Sequence, residues 1–172
     1  LGDVYKRQDG GLWDETIEVL RRPLEHKSPA AGYPVLHYYL GYLYQRKGMT
    51  AEANKAFETA GRLPVDYCFP FRLETVDVLQ AAIAADPADA RAHYYLGNLL
   101  YELQPDEAIA HWERSRTLDP TLGIVHRNLG WGSFRHGRDV AKAIQSYEQA
   151  IARKPDDPRY YIELDDLYER AN

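Results

Sequence analysis

One five-residue word, His-Tyr-Tyr-Leu-Gly, occurs twice in this chain, at 37–41 and again at 93–97. Its Leu-Gly core returns as Leu129-Gly130, a step of 33 from Leu96, and Leu164 follows 35 later. Prolines keep the same step at Pro87, Pro120 and Pro155, as do the aromatics Trp112 and Tyr147. A repeat of this length is one supersecondary unit, too small to bury its apolar face alone, so the units must stack on one another. Within residues 93–120 the order is an aromatic-Leu-Gly helix, a tight turn, and a second helix carrying Ala108, Trp112 and Ser115 before Pro120.

Taken in order, the array covers 9–172 and opens with a half-repeat at 12–24, where Trp13, Ile17, Leu20 and Leu24 keep helical spacing. Pro23 and the stretch 27–32 break it into a loop. A full repeat at 34–62 begins at Pro34, where a missing donor costs little. Its apolar stripe is Leu36, Tyr39, Leu40, Leu43 and Tyr44, Gly48 ends the helix, and Thr50 is the expected N-cap of the next. Ala53, Ala56, Phe57 and Ala60 face the partner helix, and Gly41, Ala53 and Ala60 let the two backbones approach.

Two prolines and a glycine in 61–70 interrupt the rhythm, leaving a half-repeat at 71–87 with Leu73, Val76, Leu79, Ala82 and Ile83 inward. Its loop holds Tyr67, Phe69 and Phe71, too apolar for a solvated linker, and is expected to fold back on the array. Full repeats at 88–120 and 122–155 follow, with Asp106 and Asp139 as expected N-caps. A terminal helix at 157–171 puts Tyr161, Leu164, Leu167 and Tyr168 on one face and Glu163, Asp165, Asp166 and Glu169 on the other. Asp165 stands where a repeat places a small residue, as expected of a polar capping helix.

Asp3-Val4-Tyr5-Lys6-Arg7-Gln8 reads as a translated sequencing adapter, so residues 1–8 are set aside as non-native. The native protein is expected to begin upstream, and Ala171-Asn172 reads as an interrupted repeat.

A net charge of −5 argues against a nucleic-acid or membrane-surface binder. One cysteine, Cys68, excludes an internal disulfide and a cysteine-rich zinc site. No apolar run approaches the roughly 18 residues of a spanning helix, so membrane insertion is not expected and the location is read as cytoplasmic. His37, His93 and His126 recur at one repeat position on separate units, which favours repeat packing over a metal site. Phosphate loops, nucleophile elbows and zinc signatures are absent from the sequence. No catalytic residue, metal or cofactor is therefore assigned.

Over residues 11–171 the chain resembles bacterial tetratricopeptide-repeat proteins, on the Leu-Gly, small-aromatic-small and proline positions quoted above. More weakly, it is similar to the repeat region behind a largely β N-terminal domain in larger bacterial proteins. The resemblance implies an all-α, right-handed superhelical solenoid of antiparallel helix pairs that holds a protein or peptide in a concave groove. Placed on the family's register, the groove-facing set is Tyr38, Tyr42, Gln45 and Arg46; Arg91, Tyr94, Asn98, Tyr101 and Glu102; Arg127, Trp131, Phe134 and Arg135; then Arg159 and Asp166. Arg and aromatic residues are the types that dominate binding energy, although each Tyr has packing against a neighbouring helix as its plain alternative.

Some members grip a carboxylate with two asparagines and three basic residues. Asn98, Asn128 and Arg159 fall at three of those places, while Tyr94 and Glu163 occupy the others. Both that clamp and a packing role for Asn128 stand at this point, with packing favoured. The function expected is a non-catalytic interaction scaffold. The alternatives are an appendage of a larger, carbohydrate-active enzyme, or self-association as a homodimer through Leu164, Leu167 and Tyr168 of the last helix.

Overall fold

The computed structural model describes residues 13–66 and 68–171. The adapter reading of residues 1–8, and the expectations for Tyr67 and Asn172, lie outside the described residues. Nine α-helices make up the regular structure among those residues: α1 (Trp13–Glu25), α2 (Pro34–Arg46), α3 (Thr50–Ala60), α4 (Thr75–Ala85), α5 (Ala90–Leu100), α6 (Pro105–Leu118), α7 (Gly123–Arg135), α8 (Val140–Arg153) and α9 (Pro158–Ala171). A 3₁₀ turn, Pro29–Gly32, links α1 to α2. The fold is all-α and built of antiparallel helix pairs. Two compact units, Leu1–Tyr95 and Leu96–Asn172, divide inside α5.

One triplet explains the period. The second helix of each pair buries three residues at spacing i, i+4, i+7: Ala53, Phe57 and Ala60 on α3; Ala108, Trp112 and Ser115 on α6; Ala143, Tyr147 and Ala150 on α8. The central aromatic lies against the glycine of its own first helix. A Cβ on Gly97 would sit 2.5 Å from the Trp112 ring, and one on Gly130 would sit 2.6 Å from Tyr147. Phe57 lies as tightly on Gly41. Only glycine lets the helices close to this distance, which is why Leu-Gly and the aromatic recur in step.

The first unit carries the departure. Helix α4 presents the same triplet as Thr75, Leu79 and Ala82, all buried, with no first helix of its own before it. It begins at Thr75, later than expected, and Leu73 stays outside. Of the apolar loop before it, Cys68 is fully buried, yet Phe69 is 56% and Phe71 77% exposed. The loop is anchored to the core by the Cys68 thiol and not by Phe69 or Phe71; Phe71 carries the Arg72 guanidinium 5.4 Å from its ring. Tyr38 and Tyr39 fill the centre of this unit, Tyr38 donating to both oxygens of buried Asp89 at 3.0 and 2.8 Å.

Helix ends follow the sequence in part. Gly48 takes φ +75 after α2, as a glycine past a helix commonly does. Asp139 caps α8, accepting from the Lys142 N–H at 2.9 Å. Thr50 is instead the first residue of α3, with Met49 at the cap, and Gln104 rather than Asp106 precedes α6. Asp106 meets His136 Nε2 at 2.8 Å. The repeated histidines are ties: His37 Nε2 donates to the Ala31 carbonyl at 2.8 Å and His126 Nε2 to Pro120 at 3.1 Å, each six residues back.

Candidate binding site

In the second unit, α7 packs on α8 and α8 on α9. Trp131, on α7 just after the Leu-Gly joint, stands half-buried with the guanidiniums of Arg127 and Arg135 each 5.3 Å from its ring. These spacings follow from the helix: positions 127, 131 and 135 lie four apart on one face. Phe134 lies 6.4 Å from Trp131 and carries Arg170 of α9 at 5.4 Å. Trp131, Phe134, Tyr147, Ile162, Glu163, Asp166 and Leu167 line a depression of about 150 Å³. Beside it, sharing Phe134, lies a second depression of about 270 Å³ lined also by Arg135, Arg138 and Val140.

The carboxylates of this wall are engaged. Glu163 receives Arg127 through two bonds of 2.7 and 2.5 Å, and Asp166 receives Arg170 at 2.8 Å. The bond to Glu163 holds the Arg127 guanidinium above its ordinary value against the opposing effect of burial. Burial, reinforced by Glu163, pushes the Tyr147 phenol up. Arg135 and Arg138, at and just beyond the end of α7, make no ion pair among the described residues.

The predicted set divides. Tyr101 stacks 5.0 Å from Trp112, and Asn98 accepts from Trp112 Nε1 at 3.0 Å and from Asn128 Nδ2 at 2.8 Å. Asn128 thus joins α5 to α7 through a side-chain bond to Asn98. Arg159 spans Asp157 with two bonds of 2.9 and 2.6 Å, and that contact draws the carboxyl below its usual range. With the asparagines bonded to each other, Arg159 on Asp157 and Glu163 on Arg127, the clamp residues serve the fold. In the first unit Tyr38 and Tyr94 are buried, Arg91 Nε donates to the Leu63 carbonyl at 2.8 Å, and Arg46 lies 5.6 Å from the Trp13 ring. Tyr42 is half-buried, while Gln45 is exposed. Buried Tyr38 and Tyr94 are corrected from the groove-facing set: aromatic stripes at helical spacing are filled from the core first.

On α9, Leu164 and Leu167 turn inward against α8, so a homodimer through this helix would have to use Tyr161, Ile162 and Tyr168, which are exposed. Tyr147, Ile162, Arg138 and Arg170 also border the wall, and the groove-facing register had not included them. Arg170 was legible as the i+4 partner of Asp166; the others became neighbours only on packing. Among the described residues no group of three or more potential metal ligands converges, and no helix is long and apolar enough to cross a membrane.

Residues 36–62, the glycine-aromatic pair of α2 and α3, match the tetratricopeptide-repeat family model. Over those residues the chain carries a tetratricopeptide repeat. Solved structures extend that fold over nearly the whole length. MamA is 21% identical with a TM-score of 0.52, covering 96% of this chain and 82% of its own. TTC0263, a thermophilic tetratricopeptide-repeat protein of Thermus thermophilus, is 17% identical with a TM-score of 0.53, covering 98% and 96%. PilF of Pseudomonas aeruginosa is 20% identical with a TM-score of 0.52; 98% of this chain is covered but only 65% of that one. At these identities the likeness is one of tetratricopeptide fold. Among curated proteins, none matches the sequence significantly.

Proposed function

We propose that this protein is a non-catalytic binding module that takes a peptide or partner helix of another protein on the α7–α9 wall of its second unit. The observation that carries the reading is Trp131, half-buried between the guanidiniums of Arg127 and Arg135 at the rim of the 150 Å³ depression. A rigid indole with flanking arginines offers a large apolar area and fixed donors at small entropic cost, the combination that dominates interface energetics. A depression of this size is large enough for a benzene-sized group, so a single bulky side chain of a partner suits it.

The test is a selection from a displayed library of random dodecapeptides on the immobilised full chain, repeated on Trp131→Ala. Sequences enriched by the wild type are expected to be lost on the variant while its circular dichroism stays unchanged. Equal recovery on both proteins, or no enrichment over the starting library, refutes the site.

A further inference from the structure

We infer that the segment bound on the α7–α9 wall is acidic and amphipathic: a bulky apolar side chain enters the depression beside Trp131, and a carboxylate next to it meets Arg135 and Arg138. This rests on the binding reading above and adds the chemistry of the partner.

Folding leaves positive charge over at this wall. The whole chain is acidic, at −5, yet the carboxylates bordering the wall are already used. Glu163 is held by Arg127, Asp166 by Arg170, and Asp139 accepts the Lys142 N–H as the cap of α8. Arg135 and Arg138 have no such partner among the described residues; Arg138 is exposed and Arg135 lies at the exposed end of α7. The C-terminal end of α7 carries roughly half a negative charge, and Asp139, bonded to a neutral N–H, keeps its own, so the positive excess beside the second depression is small and lies on two guanidiniums that make no ion pair. Arg135 lines the outer hollow, and its guanidinium lies 5.3 Å from the indole of Trp131, which lines the inner one.

The spacing of the two hollows sets the order of the ligand. Phe134 is the ridge they share, with an apolar pocket of Trp131, Ile162 and Leu167 on one side and the two guanidiniums that make no ion pair on the other. A cationic segment would meet Arg135 and Arg138 as like charges. A wholly apolar one would strip water from two guanidiniums without replacing their bonds, which is costly. A carboxylate pairs with guanidinium through two parallel bonds and leaves the apolar pocket to its neighbour.

Sequences recovered by the wild-type chain are therefore expected to carry Asp or Glu beside Leu, Phe or Trp, in excess over the library. The double variant Arg135→Glu, Arg138→Glu is expected to bind a recovered peptide about tenfold more weakly, or worse, by fluorescence anisotropy. In its own selection it is expected to favour Lys and Arg at the flanking place. Wild-type recoveries with no acidic excess, or a double variant with unchanged preference, overturn the inference while a Trp131-dependent recovery leaves the binding reading intact. Recovery independent of Trp131 removes both.

Discussion

Replacing Gly97 by alanine tests the joint on which the repeat depends. In most exposed helices this change stabilises by about 0.5–1 kcal/mol, because glycine loses more backbone freedom on folding. Here the new methyl would stand 2.5 Å from two atoms of the Trp112 ring and 2.9 Å from the Ala108 carbonyl oxygen. Ordinary carbon contacts lie at about 3.5–4.0 Å, so helices α5 and α6 must part locally by about an ångström. The indole has little room to turn, since its Nε1–H is bonded to Asn98 at 3.0 Å and its face lies against Tyr101 at 5.0 Å. Overpacking of this kind costs about 1–3 kcal/mol, and the clash with backbone favours the upper end.

Less the helix gain, a net loss of about 1–2 kcal/mol is expected, a fall in Tm of roughly 2–8 °C for a chain of this size. Thermal unfolding followed by far-ultraviolet circular dichroism reads it directly. Gly132→Ala is the internal control. It lies on α7 with nothing nearer than the Ile109 side chain at 3.2 Å, and it should fall within about 0.5 kcal/mol of the parent, since its neighbour can yield and the helix gain offsets the strain. A higher Tm for Gly97→Ala than for the parent would refute the close-approach account.

Two further outcomes follow from burial. His126 is held below its ordinary value chiefly by burial. The unfolded chain therefore takes up the proton first, and stability present above about pH 6.5 is lost as pH falls through the histidine range. Urea midpoints at about pH 7.5 and 5.5, on either side of that range, should show the loss in the parent and a smaller one in His126→Gln, which keeps a donor for Pro120; equal losses would exclude His126 as a source. Burial also pushes the Cys68 thiol up, against hydrogen bonds with Tyr95 and Tyr33 that act the other way. Its reaction with a disulfide reagent at neutral pH should be slower in the native protein than in urea by roughly tenfold or more, and comparable rates would place the thiol outside the core.

How much of this was legible in the letters differs from element to element. The joints at Gly97 and Gly130 were open to reading because a requirement for no side chain and a requirement for a large ring act on fixed places, one in each helix of a pair. The same logic made α4 recognisable as a second helix without its first. The loop before it was harder to read, because apolarity alone does not say which side chain packs: Cys68 is buried, while Phe69 and Phe71 stay exposed. Tyr38 and Tyr94 depart in the opposite sense, drawn into the first unit where the groove-facing register would have left them outside.

The period, the all-α class and the pairing of each helix with its neighbour can be read from the letters, since local spacing and close approach are short-range conditions. Which charges are paired emerges on packing. Glu163 lies 36 residues from Arg127 and meets it through two bonds, Asp166 is taken by Arg170, and Arg135 and Arg138 remain over. Such a balance depends on which side chains packing brings within reach, and that distance in space is not ordered by distance along the chain.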